Sequence, residues 1–329
     1  MSARDPTIDG VSVKRPVGIG LLGLGTVGSA VARTIAERSR HLDEAAGRPL
    51  RLIAAAVRDT ARPRDAGGVP ITGNAFTILD DPDVDIVIEV IGGVEPARDL
   101  HLAALERGKH VVTGNKELVA REWDVLHEAA RLAKRQLRFE AAVASAVPVI
   151  AAARTLGASR PRTVRGLLNG TSTFICSRME GGASFEDALD EAQRAGYAEA
   201  DPSNDVDGLD AAYKLAILLN VLGHRTSPDD VRRTTLRGVT QGAVQAALGR
   251  GRTIRSLAVA ELDGTRVLAR VGPEEVDVTS LEGSASGPTS VVTFETDLAG
   301  TLTFTGPGAG GPAAASAILG DVIAIARGR

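Results

Sequence analysis

The feature that most constrains the fold is a glycine-rich segment near the N-terminus, Gly23-Leu24-Gly25-Thr26-Val27-Gly28. It follows the apolar run 17–22 and opens residues 27–39, where apolar side chains recur at helical spacing. Between a strand and a helix, the first glycine permits a tight turn and the second lets the backbone approach a phosphate. The third lets the helix pack close to the strand. The segment therefore predicts a dinucleotide site at a helix N-terminus.

The rest of the first half alternates between two kinds of segment. Apolar strand-like runs at 50–57, 85–91, 110–113 and 137–142 are separated by helix-like segments at 96–107 and 116–135. Such alternation indicates βαβ units and a mainly parallel sheet. We therefore predict an α/β fold whose N-terminal part is a Rossmann-type doubly wound parallel sheet.

The second half has a different pattern. Helix-like segments are grouped at 185–195, 209–222 and 229–248, and strand-like runs lie at 163–168, 255–262, 266–271, 290–296 and 301–304. Grouped helices and later strands are typical of an α+β domain. The predicted organisation is a disordered tail at 1–15, a dinucleotide-binding domain at 16–147 completed by 305–329, and a second domain at 148–304.

The end of the second strand bears on the choice of nucleotide. An acidic residue there binds the ribose 2′-hydroxyl of NAD, whereas a basic residue accommodates the 2′-phosphate of NADP. The chain continues Val57-Arg58-Asp59, with Arg62 and Arg64 nearby. Arg58 favours NADP, and Asp59 keeps NAD open.

Composition excludes several other classes. A net charge of −3 and 3% aromatic residues give no support to nucleic-acid binding. The one cysteine, Cys176, fits a reducing compartment, and the expected apolar helical face around it disfavours an aldehyde dehydrogenase with a thiol nucleophile. Neither a secretory leader nor a membrane-spanning run is found, so we expect a cytoplasmic protein. The histidine spacing predicts no transition-metal site.

Three further segments carry a family resemblance. Residues 112–118 (VTGNKEL), 166–171 (GLLNGT) and 196–215, which begins GYAEADP and ends AAYKL, resemble the corresponding segments of homoserine dehydrogenases. The third match is long and highly specific. With the glycine-rich segments at 23–28 and 306–311, the resemblance covers about residues 16–329. The chain resembles the short form of the enzyme, so we expect no C-terminal regulatory ACT domain.

The resemblance implies the reversible reduction of L-aspartate 4-semialdehyde to L-homoserine by NAD(P)H, in threonine, methionine and isoleucine biosynthesis. It also implies a homodimer formed through the second domain, and the following residue roles. Lys214 and Lys116 are catalytic; Glu199, Asp210, Asp205, Gly170, Thr171 and Tyr197 bind the substrate; Gly23, Gly25, Thr26, Val27, Gly28, Arg58, Gly92, Thr113, Lys116 and Gly310 bind the cofactor; and Glu140, Val143 and Ser145 hold a monovalent cation, expected to be Na⁺.

The chemistry of the reaction supports a catalytic role for the two lysines. Hydride addition to a carbonyl produces an alkoxide, which a lysine ammonium can stabilise or protonate. In a helix, Asp210 and Lys214 lie four residues apart on one face, where the alternative interpretation is an exposed ion pair. Acidic neighbours stabilise the protonated lysine, which suits aldehyde reduction. We therefore predict that homoserine oxidation requires alkaline pH.

The chain departs from the family pattern at a few positions. Ser145 and Ala146 replace the usual glycines after Glu140, Thr173 replaces an asparagine, and Ala314 lacks an expected hydroxyl. Two alternatives therefore stay open beside homoserine dehydrogenase: a related NADP-dependent reductase of another amino-acid-derived carbonyl, and a non-catalytic NADP-binding regulatory protein.

Overall fold

The computed structural model describes residues 15–329 and the backbone of residues 7–8 and 11–12. The tail predicted at 1–15 lies, apart from those four positions and Arg15, outside the described residues. Compact packing divides the chain into two units. The first comprises Met1–Ala142 and Gly310–Arg329, and the second comprises Val143–Ala309.

The secondary-structure elements are numbered along the chain. The strands are β1 Thr7–Ile8, β2 Val11–Ser12, β3 Val17–Leu22, β4 Leu50–Ala56, β5 Ile71–Thr72, β6 Ile86–Glu89, β7 His110–Thr113, β8 Leu137–Arg138, β9 Pro161–Leu167, β10 Arg232–Arg233, β11 Arg252–Asp263, β12 Arg266–Asp277, β13 Thr289–Thr296 and β14 Thr301–Pro307. The α-helices are α1 Thr26–Glu37, α2 Ser39–Ala46, α3 Ala75–Leu79, α4 Ala97–Glu106, α5 Lys116–Arg121, α6 Trp123–Ala133, α7 Ala141–Ala144, α8 Val149–Thr155, α9 Gly170–Glu180, α10 Phe185–Arg194, α11 Ser203–Val206, α12 Leu209–Val221, α13 Gln241–Leu248, α14 Leu281–Ser284 and α15 Gly311–Ala326.

The sheet of the first unit has the strand order β5-β4-β3-β6-β7-β8, and all its pairings are parallel. This is the doubly wound 3-2-1-4-5-6 order of Rossmann domains. The order of strands reverses between β3 and β6, which are buried along their whole length. Ligands of such sheets bind beyond the carboxyl ends of the strands at that reversal.

The C-terminal helix belongs to this first unit. Its apolar residues Ala315, Ile318 and Leu319 join the core formed by β3, β4 and α1, and α15 packs directly on α1. The C-terminal helix therefore packs as part of the nucleotide-binding unit.

The second unit contains a mixed sheet with the order β10-β12-β11-β9-β13-β14. Its pairings are antiparallel, except that β10 runs parallel to β12. Helices α9, α12 and α13 pack on β11. The predicted combination of grouped helices and later strands in one α+β region is confirmed.

Four predicted segments were wrong in extent. The strand expected at 266–271 continues to Asp277 as β12. The single helix expected at 116–135 is two helices, α5 and α6, because the chain leaves helical geometry at Glu122, whose carboxylate accepts a hydrogen bond from Arg98 Nε at 3.1 Å. The strand expected at 137–142 is only β8, since α7 begins three residues later. The helix expected at 229–248 begins only at Gln241, where Thr240 Oγ1 caps it by accepting from Ala243 N.

None of the helices in the described part of the chain combines the length and the apolar character that crossing a bilayer requires.

Candidate active site

The turn after β3 has the geometry that its glycines predict. Gly23 lies at φ +104°, and a Cβ there would stand 2.8 Å from the carbonyl oxygen of Val90. A Cβ on Gly28 would stand 2.0 Å from the oxygen of Gly23. Side chains at these two positions would force the strand, the turn and α1 apart, so both glycines are required by packing.

Gly25 serves a different purpose. It is the N-cap of α1, and a Cβ there would meet nothing within 4 Å. The open space is part of a cavity of about 1060 Å³ at the reversal of the strand order. Its lining includes Leu22 to Thr26 after β3 and Val90 to Gly92 after β6. Unpaired N–H groups at the start of a helix attract phosphate, so this cavity fits a dinucleotide.

Not every predicted cofactor residue lines the cavity. Gly23, Gly25, Thr26, Arg58 and Gly92 do. Val27 instead packs against the apolar core, and Gly28 acts through the close approach described above.

Gly310 is the N-cap of α15 at φ +109°. The residue after it, Gly311, was missed by sequence reasoning: a Cβ there would stand 2.8 Å from the oxygen of Thr26. The start of α15 therefore lies against the start of α1, within the same unit.

The charged residues that line the cavity are mostly basic. Four of them are arginines, and two, Asp65 and Glu95, are acidic. The arginines are Arg33, Arg58, Arg62 and Arg64. The guanidinium group of Arg64 donates to the backbone oxygen of Asp59, which orders the loop after β4. The side chain of Asp59 accepts from Ala61 N at 3.0 Å.

The end of β7 leads directly into Lys116. Thr113 Oγ1 accepts a hydrogen bond from Asn115 N at 2.9 Å, and Asn115 Nδ2 donates to the oxygen of Gly93 at 2.7 Å. Asn115 Oδ1 also caps α5 by accepting from Leu118 N at 3.1 Å. Lys116 is the first residue of α5, so its backbone position is fixed by this turn.

The second unit contains a buried pair of opposite charges. Lys214 and Asp210 are only 9% and 6% exposed, and Lys214 Nζ donates to Asp210 Oδ2 at 2.7 Å. Nζ also donates to the backbone oxygen of Leu168 at 2.6 Å. The pair lies on α12, as the spacing predicts, but its burial rules out the alternative of an exposed surface ion pair.

Asn169 joins this pair to Asp205. Its amide nitrogen donates to Asp205 Oδ1 at 2.6 Å and to Asp210 Oδ2 at 3.0 Å. Its Oδ1 accepts from Ser172 N at 2.7 Å and so caps α9. Asn169 belongs to the segment GLLNGT but was not among the predicted site residues. The missing information was its orientation, since only the fold shows that the side chain turns towards two carboxylates.

Asp205 is held in a partly desolvated place. Burial raises the pKa of its carboxyl above the ordinary value, the hydrogen bond from Asn169 opposes the increase, and the nearby Asp210 charge adds to it. An ammonium group brought to this carboxyl would favour its ionised form. Two carboxylates beside one lysine therefore make a site suited to a cationic ligand group.

The remaining predicted substrate residues are partly linked to one another and partly exposed. Thr171 Oγ1 donates to the oxygen of Tyr197 at 2.8 Å, while the Tyr197 ring stacks on Phe174 with centroids 4.8 Å apart. A Cβ on Gly170 would stand 3.1 Å from Pro288 Cα. Glu199 is exposed, and its backbone oxygen accepts from Gln193 at 3.0 Å. The structure thus joins Thr171 to Tyr197, whereas Glu199 lies exposed.

The three predicted cation ligands are each buried. Glu140 is 8% exposed, and its backbone N–H donates to Asp321 Oδ2 at 2.8 Å. Val143 is 1% exposed. Ser145 lies at φ +50°, and its buried hydroxyl has no hydrogen-bond partner among the described residues. The positive φ explains why the family pattern has glycine there.

A Rossmann sheet with a large cavity at the reversal of its strand order, accompanied by a separate unit in which a buried lysine and a buried carboxylate lie near a half-buried one, defines an NAD(P)-dependent oxidoreductase. Comparisons with known proteins identify the family. A profile described as "Homoserine dehydrogenase, NAD binding domain" matches residues 23–140, and one described as "Homoserine dehydrogenase" matches residues 148–323. The chain belongs to the homoserine dehydrogenase family.

Individual relatives agree. The chain is 43% identical to homoserine dehydrogenase of Corynebacterium glutamicum over 323 residues, which is 95% of this chain and 72% of the relative. It is 37% identical to that of Pseudomonas aeruginosa, covering 95% and 73%. The crystal structure of a homoserine dehydrogenase from Thiobacillus denitrificans superposes with a TM-score of 0.92 at 40% identity, covering 95% of this chain and 74% of that one.

These relatives support the leading hypothesis over its two alternatives. The protein is an oxidoreductase that acts on a CH–OH group, with the homoserine dehydrogenase activity of amino-acid biosynthesis. Its cofactor is a nicotinamide nucleotide, and its substrate is a small molecule.

Proposed function

We propose that Lys214 is the general acid and base of the reaction. When bound, the nicotinamide nucleotide supplies or accepts the hydride. The lysine ammonium donates a proton to the oxygen that becomes the homoserine hydroxyl, and takes it back in oxidation. The support for this role is the buried Lys214–Asp210 pair, because Asp210 and the Leu168 oxygen fix the direction of Nζ inside a water-poor site.

Asp205 and Asp210 hold the substrate's α-ammonium in this proposal, with Thr171, Gly170 and Tyr197 forming the adjacent wall. The raised pKa of Asp205 supports this role, since a carboxyl that burial disfavours as an anion gains most from a cationic partner. Glu199 reaches the same substrate only if the exposed segment around it moves on binding. Lys116 acts at the nicotinamide side from the first turn of α5.

The nucleotide is NADP(H) in preference to NAD(H). The four arginines that line the cavity support this preference, because guanidinium groups pair well with a 2′-phosphate. A hyperthermophilic archaeal homoserine dehydrogenase in complex with NADPH has a TM-score of 0.80 and 26% identity to this chain, covering 94% of it and 97% of that chain. Parallel assays with NADP⁺ and NAD⁺ test the preference.

The other predictions from the resemblance complete the proposal. The carboxylate of Glu140 and the carbonyl oxygens of Val143 and Ser145 are hard donors that fit a monovalent cation such as Na⁺. Residues 148–304 bind the substrate and form a homodimer, and residues 16–147 with 305–329 bind the nucleotide. A single buried cysteine fits the reducing cytoplasm.

The test compares two buried lysines. Lys214→Ala should lower kcat for homoserine oxidation by about 100-fold or more, with the Kd for NADPH unchanged within about twofold. Lys109 is the control, because its Nζ is also buried against two carbonyl oxygens, those of Asp81 and Val84, but lies in the other unit. Lys109→Met should lower the melting temperature without lowering kcat of the folded enzyme. A Lys214→Ala enzyme with weaker NADPH binding and normal turnover would reverse the assignment.

A further inference from the structure

A buried acid lies in the centre of the first sheet, and the reaction as described above does not use it. Glu89 is the last residue of β6, in a run that is otherwise apolar, and it is 0% exposed. Its neighbour His101 on α4 is also 0% exposed. An ionised carboxylate in such a place is tolerated only when several donors compensate it.

Four donors surround this carboxylate. Oε1 accepts from the backbone N–H groups of Ile91 at 2.7 Å and Gly92 at 3.3 Å. Oε2 accepts from the Thr113 hydroxyl at 2.8 Å and from His101 Nε2 at 3.0 Å. Burial acts to raise the pKa of Glu89, but His101, Thr113 and Ile91 N together lower it, so the group remains ionised. An ionised carboxylate only accepts, and His101 is therefore the donor in this pair.

Three of the four bonds end on segments already placed at the site. Ile91 and Gly92 line the nucleotide cavity. Thr113 accepts a hydrogen bond from the backbone of Asn115, whose side chain caps α5, the helix that Lys116 begins. Asn115 also donates to the backbone oxygen of Gly93 in the loop after β6. One carboxylate thus ties the loop after β6 to the turn after β7, and His101 fixes the carboxylate from α4.

We propose that Glu89, held by His101, is a positioning residue of the reaction: it sets the loop at Ile91–Gly92 against the nicotinamide nucleotide and sets the direction of Lys116. An apolar side chain would fill the same space in the sheet but would leave four donors without an acceptor. The inference rests on the role of Lys116 proposed above, although the part concerning Ile91 and Gly92 is independent of that role.

The first experiment uses Glu89→Gln, which preserves size. An amide cannot accept at both of its ends, so one of the two donor sets loses its partner. We expect kcat to fall about 10-fold or more and the Kd for NADPH to rise several-fold, whereas the KM for homoserine stays within about twofold because the proposed substrate residues lie in the other unit. Normal kcat and Kd per folded enzyme would overturn the proposal.

His101 provides a second pair of variants, should Glu89→Gln fold poorly. His101→Gln keeps an N–H donor for Glu89, and His101→Leu removes it. We expect His101→Gln to retain about half of the wild-type kcat or more. In His101→Leu, kcat should fall about as far as it does in Glu89→Gln. Equal kcat in both His101 variants, at matched folded fractions, would contradict the proposal, because the Glu89–His101 pair would then serve stability alone.

A double-mutant cycle separates this inference from the proposed role of Lys116. If Glu89 acts through Lys116, Glu89→Gln should cause little further loss of kcat in a Lys116→Ala background. Full additivity would contradict that route. If Lys116→Ala alone leaves kcat intact, the role of Lys116 fails, and the NADPH Kd of Glu89→Gln still decides whether Glu89 positions the nucleotide loop.

Discussion

In the first unit, the predicted ligand site depends on glycines that leave space beside the backbone, whereas in the second it depends on ionisable side chains, two of which are buried. The nucleotide cavity is shaped by Gly23, Gly25 and Gly28, whose contribution is the absence of a side chain. In the proposed substrate site, Lys214 and Asp210 contribute charges that the surrounding fold must keep away from water. The first kind of site is sensitive to added atoms, and the second is sensitive to removed charges.

The largest effect we expect comes from adding atoms at Gly25. The Cβ of Gly25→Val would meet no atom within 4 Å, so the melting temperature should change by only about 2 °C, but the side chain occupies space where a pyrophosphate would lie. The Kd for NADPH should rise by about 100-fold or more, which is about 2.7 kcal/mol. Titration of NADPH fluorescence measures it.

Gly28→Ala is the matched variant for this prediction. Its Cβ would stand 2.0 Å from the Gly23 oxygen, so it should lower the melting temperature and NADPH affinity together. Near-normal NADPH affinity in Gly25→Val would show that the nucleotide does not approach this backbone.

The next effect comes from removing a charge at Asp210. Asp210→Asn leaves the Lys214 ammonium buried without its carboxylate, so the free energy of unfolding should fall by about 3 kcal/mol. We expect kcat to fall about 10- to 100-fold. Chemical denaturation and steady-state assays measure the two quantities.

The control for Asp210 is another i,i+4 pair. Arg40 and Glu44 are 93% and 64% exposed, so Glu44→Gln should change the free energy of unfolding by less than about 0.5 kcal/mol. Similar losses in Asp210→Asn and Glu44→Gln would mean that burial does not distinguish the two pairs.

The smallest effect concerns Asp205, where function and stability should oppose each other. Asp205→Asn still accepts from Asn169 but loses the charge, so the KM for homoserine should rise about 10-fold. At neutral pH the variant should melt at a higher temperature than the wild type, because the raised native pKa means that ionised Asp205 costs stability there.

The sign of this effect can be followed with pH. A carboxyl with a raised native pKa favours the folded state below its ordinary pKa of 3.8 and loses that contribution as pH rises through the native pKa. The advantage of Asp205→Asn in melting temperature should therefore shrink as pH falls from 7 towards 4. A variant that is less stable than the wild type at neutral pH would contradict the prediction.

The same contrast explains what could be predicted from the sequence. The turn at Gly23 and the alternation of apolar runs are local patterns, and β3 and β7 have the predicted limits. No proline or glycine marks the helix break at Glu122 in the sequence. The break coincides instead with a hydrogen bond from Arg98, which is 24 residues away. Segment 229–248 was assigned to one helix although Thr235 and Thr240 are typical helix caps.

Glu89 illustrates the limit for the site. An acid within the apolar segment DIVIEVI is visible in the sequence, but its partners are 12 and 24 residues away and become neighbours only when α4 and β7 are placed around β6. Asn169 was missed for a similar reason. Residues whose role depends on pairing across elements need the fold, whereas glycines in a turn do not.

The single cysteine offers an internal probe of opening in the second unit. Cys176 is 1% exposed on α9, and burial raises the pKa of its thiol to about 12. Alkylating reagents attack the thiolate, so the intact protein should react extremely slowly. Each labelled molecule has therefore opened at least once so that Cys176 on α9 met solvent. The rate of labelling measures how often this part of the enzyme opens under native conditions.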